Sequence, residues 1–247
     1  MQKTIAFITD THLGDKTPGN YGIDARQNLQ LVLDDIALQN VDSLVFGGDI
    51  TESAEYEWFF SHLQNFCPGF RAVLGNHDTY IEAAKYFIQP SAGTDALYYT
   101  EEDAACKYIY LDSSASVIGQ EQLDWLKAQL MTDKMILLFI HHPVLGFATG
   151  MDNIYPLKNR DAVATLLHEV PNEVYIFCGH YHMNDVQTRG NITQYTTPAT
   201  SFQVKKDAQG IAIYNGAFGY RLITINGQSV TAQLYLYQNG TFEATDV

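Results

Sequence analysis

Five times in this chain a run of apolar, β-branched or aromatic residues stops at a short polar signature rich in Asp, Asn and His. The signatures are Asp10-Thr11-His12, Gly47-Gly48-Asp49, Gly75-Asn76-His77-Asp78, His141-His142 and Gly179-His180-Tyr181-His182. The runs before them, residues 4–9, 43–46, 71–74, 135–140 and 174–178, read as buried strands of a mostly parallel sheet covered on both faces. In such sheets ligands collect beyond the carboxyl ends of the strands. Five strand ends would then bring carboxylates, an amide and imidazoles to one edge, which suits a cage for two divalent cations.

Helical patterns alternate with these strands. Residues 26–40 place Leu29, Leu33 and Ile36 on one face, and further helices are predicted over 53–66 (with Ser53 as cap), 81–88, 120–131 and 159–170. Residues 107–111 form another predicted strand. From residue 192 the pattern changes to short alternating runs, 193–197, 211–214, 220–225 and 230–237, read as antiparallel hairpins with Asn226-Gly227 as a tight turn. No linker composition interrupts the chain. Its 247 residues, 46% of them hydrophobic, fit one α/β domain over 1–247, with 192–247 as hairpins completing a second sheet.

Charge narrows the partners. Fourteen basic against twenty-eight acidic side chains leave a net charge of −14, which repels polyanions, so duplex nucleic acid and anionic membranes are not expected partners. The start Met1-Gln2-Lys3 enters strand at once, without the layout of a signal peptide. Cys67, Cys106 and Cys178 are dispersed and outside metal-type spacing, which points to a reducing, cytoplasmic setting. An aromatic content of 13% permits an apolar homodimer surface without locating one.

The donor set carries the chemistry. Asp10 and His12 lie two apart at a strand end, so both side chains can face the same way. Asp49 follows two glycines that let the backbone turn sharply. Asn76 adds a neutral amide, His180 and His182 repeat the two-apart spacing, and His141 is chosen over His142 because Pro143 biases the latter toward extended backbone. Asp10, His12, Asp49, Asn76, His141, His180 and His182 suffice for two ions if Asp49 bridges them. Without a thiolate the set suits Mn, Fe or Zn rather than a closed structural zinc site. Two such ions, two aspartates and one bridging hydroxide sum to a local charge of +1, which welcomes a phosphate anion. The bridging hydroxide is then the expected nucleophile. His77 is free to protonate the departing alkoxide or stabilise the phosphoryl oxygens, so Asp49, Asn76 and His77 are the candidate catalytic residues. Asp78 either orients His77 or caps a loop, and His62 and His168 are expected at helix surfaces.

These motifs, in this order, resemble the calcineurin-like metallophosphoesterase superfamily along the whole chain, and most closely the bacterial class III cyclic nucleotide phosphodiesterases and their glycerophosphodiesterase relatives. Softer signals agree: Leu111-Asp112-Ser113, Gln122 and Trp125 after Gly119, Pro198-Ala199-Thr200-Ser201, and Gly219-Tyr220-Arg221. The resemblance implies a four-layer α/β/β/α sandwich of two mixed β-sheets flanked by helices. It assigns Asp10, His12, Asp49 and His182 to one metal, Asp49, Asn76, His141 and His180 to the other, and the catalytic histidine to His77. The function it implies is hydrolysis of a small anionic phosphodiester, a cyclic nucleotide such as cyclic AMP first. The alternatives are glycerophosphodiesterase or broad phosphomonoesterase activity, or a non-catalytic scaffold of the same fold. Substrate choice is expected from the loops 14–22, 80–96 and 146–158.

Overall fold

The computed structural model describes residues 2–51, 55–208 and 210–245. In chain order the first elements are β1 (Gln2–Ile8), α1 (Lys16–Asn20), α2 (Ala25–Leu38), β2 (Ser43–Phe46), α3 (Tyr56–Phe66), β3 (Arg71–Ala72) and α4 (Tyr80–Ala83). Next come β4 (Tyr99–Glu102), β5 (Cys106–Tyr110), α5 (Gln120–Gln129), β6 (Met135–Phe139), α6 (Gly150–Ile154), α7 (Arg160–His168) and β7 (Val174–Cys178). The rest is strand: β8 (Asp185–Arg189), β9 (Ile192–Thr196), β10 (Gln203–Val204), β11 (Ile213–Tyr214), β12 (Phe218–Asn226), β13 (Ser229–Gln238) and β14 (Thr241–Thr245).

Two six-stranded mixed sheets result, in the orders β14-β13-β12-β1-β2-β3 and β4-β5-β6-β7-β9-β8. Period-two alternation decides how they stack. In β5, β6 and β7 the residues Tyr108, Tyr110, Leu137, Phe139 and Phe177 point to the core shared with β1 and β2. Their neighbours Ile109, Ile136, Leu138, Val174 and Ile176 point the other way, onto Leu126 of α5 and Val163 and Leu167 of α7. Phe7 of β1 meets Phe139 and Phe177 across the sandwich, at centroid distances of 5.9 and 6.2 Å. On the far side of the first sheet, Phe46 packs edge-on to Phe59 of α3 at 4.6 Å. Leu29, Val32, Leu33 and Ile36 of α2 are buried there too. Each such side chain contributes about 1.5–3 kcal/mol by leaving water. The layers are thus α/β/β/α.

Helix α2 begins where the Asp24 carboxylate accepts the Gln27 amide at 3.0 Å, and it ends before Asn40, whose φ is +52°. Helix α3 starts at Tyr56, and the predicted Ser53 cap lies outside the described residues. The predicted helix over 81–88 shrinks to Tyr80–Ala83, because Lys85 and Tyr86 bond three residues back and tighten the turn.

Two expectations need correction. The five signature-bearing strands do not share one sheet: β1, β2 and β3 lie in one, β6 and β7 in the other. Nor do the residues beyond 192 gather into one hairpin sheet: among the described residues only β10 and β11 pair separately, as a two-stranded antiparallel sheet. Strand β9 pairs in parallel with β7, and β12, β13 and β14 extend the first sheet from the edge of β1. Alternation reveals that a segment is strand and which face is buried, but not its neighbour. Asp78 resolves as a loop cap, its carboxylate accepting the backbone N–H groups of Gly75 (2.8 Å), Asp49 (2.8 Å) and Ile50 (2.9 Å).

Candidate metal centre

The carboxyl ends of β1, β2, β6 and β7 turn sharply toward the seam between the sheets. Asp10, His12, Asp49, His180 and His182 all have φ between +47° and +69°. This left-handed region costs a non-glycine residue on the order of 1 kcal/mol, and five of the candidate donors occupy it together. Close packing enforces the turns. A Cβ on Gly48, itself at φ +97°, would stand 2.6 Å from the Gly75 amide nitrogen and 2.8 Å from His141 Nδ1. A Cβ on Gly75 would collide with Asp49 Oδ1.

Four imidazoles are fixed from behind. His141 Nδ1 donates to the Gly47 carbonyl (2.8 Å), His182 Nδ1 to the Phe202 carbonyl (2.8 Å), His180 Nε2 to the Tyr155 carbonyl (2.9 Å), and His12 Nδ1 to the Asp15 carboxylate (2.9 Å). Because these partners only accept, each ring carries a proton there and turns its other nitrogen inward. The inward atoms meet one another. His12 Nε2 and His182 Nε2 are 3.1 Å apart, His182 Nε2 is 3.2 Å from Asp10 Oδ1, and His141 Nε2 is 3.1 Å from Asp49 Oδ2. His141 Nε2 is buried and forms no aligned hydrogen bond despite that short distance.

Lone pairs facing lone pairs repel unless a proton or cation stands among them. Donors sharing one ion at about 2.0–2.1 Å lie about 3–3.4 Å from each other, so these separations fit the edges of coordination polyhedra. Asp10, His12, Asp49 and His182 form one group whose donor atoms all lie within 4.8 Å, and His141, His142 and His180 form a second. Asp49 connects them: Oδ1 accepts the His77 amide at 2.8 Å, while Oδ2 stands 3.5 Å from His12 Nε2 and 3.1 Å from His141 Nε2. The residues present therefore fit a pair of divalent cations.

The electrostatics agree. Burial opposes ionisation of Asp10, yet His182 and His141 bring its carboxyl down to about 2. Asp49 is likewise held well below the carboxylate range by His141 and His12, against its burial. Burial alone would push His141 down, but Asp49 and Asp10 raise it to about 9. His180 goes the other way, to about 3, through burial and then the charge of His141.

Asn76 is exposed and lines a cavity of about 280 Å³ with His12, Asp49, His77, His180 and His182. His77 sits half-buried at its rim, its ring edge-on to His12 at 4.6 Å and its Nδ1 3.6 Å from Asp15 Oδ2. His142, read from sequence as a bystander, lies 4.0 Å from the His180 ring with Nδ1 on Ser113 Oγ (2.9 Å). His62 and His168 stay in α3 and α7, away from the cluster. Larger hollows of about 480 and 580 Å³ open at the opposite ends of the strands, around Lys3 and Lys134. Donor chemistry singles out the site where size does not.

Asp15 and Thr9 went unread in the sequence, and Ser201, Asp112, Gln122 and Arg221 were visible there only as motifs without a role. Asp15 anchors His12, Ser201 Oγ donates to the Asp10 carbonyl (2.7 Å), and Thr9 Oγ1 donates to Asp10 Oδ2 (2.7 Å). Asp112 and Gln122 lock to each other, N–H to Oε1 at 2.8 Å and Nε2 to C=O at 2.9 Å. Buried Arg221 joins the sheets by donating to Asn184 Oδ1 (2.6 Å), the Thr196 carbonyl (3.2 Å) and the Ala232 carbonyl (3.1 Å). Of the loops expected to choose substrate, 14–22 supplies Thr17 and 146–158 supplies Met151 and Tyr155, while 80–96 supplies none of the described lining. Phe202, Val204, Ile211 and Ile213 line it instead.

The sequence profile of the calcineurin-like phosphoesterases matches residues 3–184. A probable cyclic nucleotide phosphodiesterase of Fibrobacter succinogenes is 27% identical over 237 residues, covering 94% of this chain and 93% of its own. A probable glycerophosphodiester phosphodiesterase, GpdQ, of Arcobacter nitrofigilis is 28% identical over 221 residues, covering 82% and 80%. Among solved structures, a dimetal phosphatase from Danio rerio superposes with a TM-score of 0.64 at 15% identity, over 93% of this chain and 98% of that one.

Proposed function

Because the chain belongs to the calcineurin-like phosphoesterase family, we propose that it is a metal-dependent hydrolase of small phosphodiesters, with a cyclic nucleotide such as cyclic AMP as the first-choice substrate. One observation carries the reading: fixed imidazole lone pairs and two buried carboxylates converge on either side of Asp49 Oδ2. Asp10, His12, Asp49 and His182 would hold one cation, and Asp49, Asn76, His141 and His180 the other, with Mn, Fe or Zn matching the donor types. Bound there, the pair supplies Lewis acidity and draws the pKa of water toward about 7.

The chain's own residues do the rest. Asp49, held ionised, ties the two halves of the site through one oxygen, while its other oxygen fixes the loop carrying His77. His77 faces the cavity from the rim, where an imidazole can give a proton to the departing alkoxide or steady a phosphoryl oxygen. Asn76 beside it would offer its amide oxygen to the second donor set and its NH₂ group to the phosphoryl group. Among the described residues no helix is long and apolar enough to cross a membrane, and the three cysteines are free thiols. The proposed setting of this small diester is the cytoplasm.

Asp49→Asn should lower turnover of a chromogenic phosphodiester by at least about 10³-fold, as loss of a central electrostatic group does elsewhere. Substantial surviving turnover would refute the bridged site. A second reading, glycerophosphodiester hydrolysis, is favoured by the likeness to the Arcobacter nitrofigilis protein. Turnover of cyclic AMP, a glycerophosphodiester and a phosphomonoester by the manganese-loaded protein separates the two.

A further inference from the structure

One wall of the cavity is built from donors and the facing wall is apolar. Met151 and Tyr155 come from α6 and its C-cap, Phe202 and Val204 from the entry to β10 and from β10 itself, and Ile211 and Ile213 from the return through β11. The deep part of that wall is structural. Phe202 packs against the His182 ring, tilted by 35° at a centroid distance of 4.3 Å, and Phe202, Val204 and Met151 belong to a small apolar cluster with Phe147, Tyr181 and Met183.

The outer part is not covered. Ile211 remains 45% exposed and Tyr155 51%, so large apolar side chains face water directly above the donor set. Exposed apolar surface gathered at the mouth of a polar cavity marks a place where a ligand completes the burial. The two sides of the wall are joined, since a Cβ on Gly150 at the start of α6 would stand 2.5 Å from the Gly210 carbonyl oxygen. Asn215 Nδ2 also donates to the Tyr21 carbonyl (2.9 Å), which ties the β11 side to the loop after α1. No lysine or arginine is among the described residues lining the cavity. A second anionic group on a substrate would therefore meet no side-chain countercharge there.

Resting on the diesterase reading above, we propose that Met151, Tyr155, Phe202, Val204, Ile211 and Ile213 form an apolar clamp that selects phosphodiesters by a ring-bearing alcohol group. The phosphoryl group lies at the donor wall, and the ring of an aryl or nucleoside ester is gripped between α6 and the β10–β11 segment. A glycerol group leaves the isoleucines exposed and gains nothing from them. Ile211 and Ile213 are specificity-determining residues, not catalytic ones.

The test compares Ile211→Ser/Ile213→Ser with the parent protein, manganese-loaded, on cyclic AMP, bis(p-nitrophenyl) phosphate and a glycerophosphodiester. The expected result is a fall of about tenfold or more in kcat/KM for the two ring-bearing esters, carried by KM, with the glycerophosphodiester changed less than about twofold. Tyr155→Ala, on the opposite side of the clamp, should give the same selective loss. Ile154→Ser, on α6 but outside the lining, should not. Equal losses on all three esters, or none, would overturn the clamp. If the parent hydrolyses none of them, the diesterase reading fails, and the clamp is decided by equilibrium binding of a fluorescent cyclic nucleotide phosphorothioate. Weakening of about tenfold in the double variant but not in Ile154→Ser supports the clamp, and unchanged binding overturns it.

Discussion

Loading the centre with a divalent cation should eject a proton from His141. That imidazole is raised to about 9 because the Asp49 and Asp10 carboxylates outweigh its burial, so at pH 7 it is about 99% protonated in the metal-free protein. Its Nδ1 is committed to the Gly47 carbonyl, and the proton therefore sits on Nε2, the atom a cation must take. Displacing it costs about 3 kcal/mol at pH 7, two pH units at a little over about 1 kcal/mol each. The apparent affinity for Mn²⁺ should accordingly rise about fiftyfold from pH 7 to pH 9, where the group is half deprotonated.

Calorimetric titration of the metal-free protein with Mn²⁺, in buffers of different ionisation heat, counts the proton directly. About one proton per chain should leave at pH 7 and about half a proton at pH 9. His141→Gln, which cannot titrate, should bind the cation more weakly and lose that pH slope, which separates this proton from any released by water. A binding heat independent of buffer at pH 7, with affinity flat to pH 9, would refute the argument.

Two further outcomes follow from the same geometry. In the metal-free protein two imidazoles contribute to stability with opposite pH dependence. His141, raised to about 9, adds stability that is complete below about 6.5 and lost as pH rises through 9. His180, lowered to about 3, takes up its proton more readily in the unfolded chain, so stability falls as pH drops from about 6.5 toward 3. Its share by pH 5 is about 2 kcal/mol. Urea midpoints of the parent and of His180→Gln at pH 6.5 and 5 isolate the His180 share, and a parent-to-variant difference that does not change between the two pH values would contradict it. Gly48→Ala combines a φ of +97° with a Cβ 2.6 Å from the Gly75 nitrogen. It should cost about 1–3 kcal/mol and weaken cation binding, read as a lower melting temperature and a lower manganese content. An unchanged melting temperature would mean that the loops have room to part.

The donor set was legible because its chemistry is carried by side chains at the ends of readable strands. Asp10, His12, Asp49, His180 and His182 announce themselves by type and spacing. What aims them does not, since the Gly47, Tyr155 and Phe202 carbonyls are backbone groups that any residue could supply. The family resemblance implied two sheets, but alternation alone hid which strand joins which. The alternation of 193–197 was visible, but its parallel pairing with β7 depends on the connection through β8. The α6 side of the apolar wall lies in the expected loop 146–158, but the other side was missed: 211–214 was read only as a hairpin strand, and β10, two residues long, is too short to show a period. The motif Gly219-Tyr220-Arg221 was visible without a reason. The reason is packing: a Cβ on Gly219 would collide with the Tyr235 carbonyl, and the Arg221 guanidinium spans acceptors on both sheets.

The strained turns and the fixed rings belong to one arrangement. An imidazole on a relaxed strand end could swing its lone pair toward water, and folding would then leave the cations to order the ligands at binding. Here five donors sit on left-handed backbone wedged by glycines, and four rings are held by acceptors on their outer side. The ordering cost, on the order of 1 kcal/mol per strained residue, is met when the sheets pack, before any ion arrives. The crowding of inward donors is what a cation would relieve once the His141 proton has left, so the contacts that fix the rings also favour cation binding. That division also accounts for the acidic exterior. A chain of net charge −14 gives an anionic ester little reason to approach except at this seam, where two divalent ions bound against Asp10 and Asp49 would turn the local charge positive.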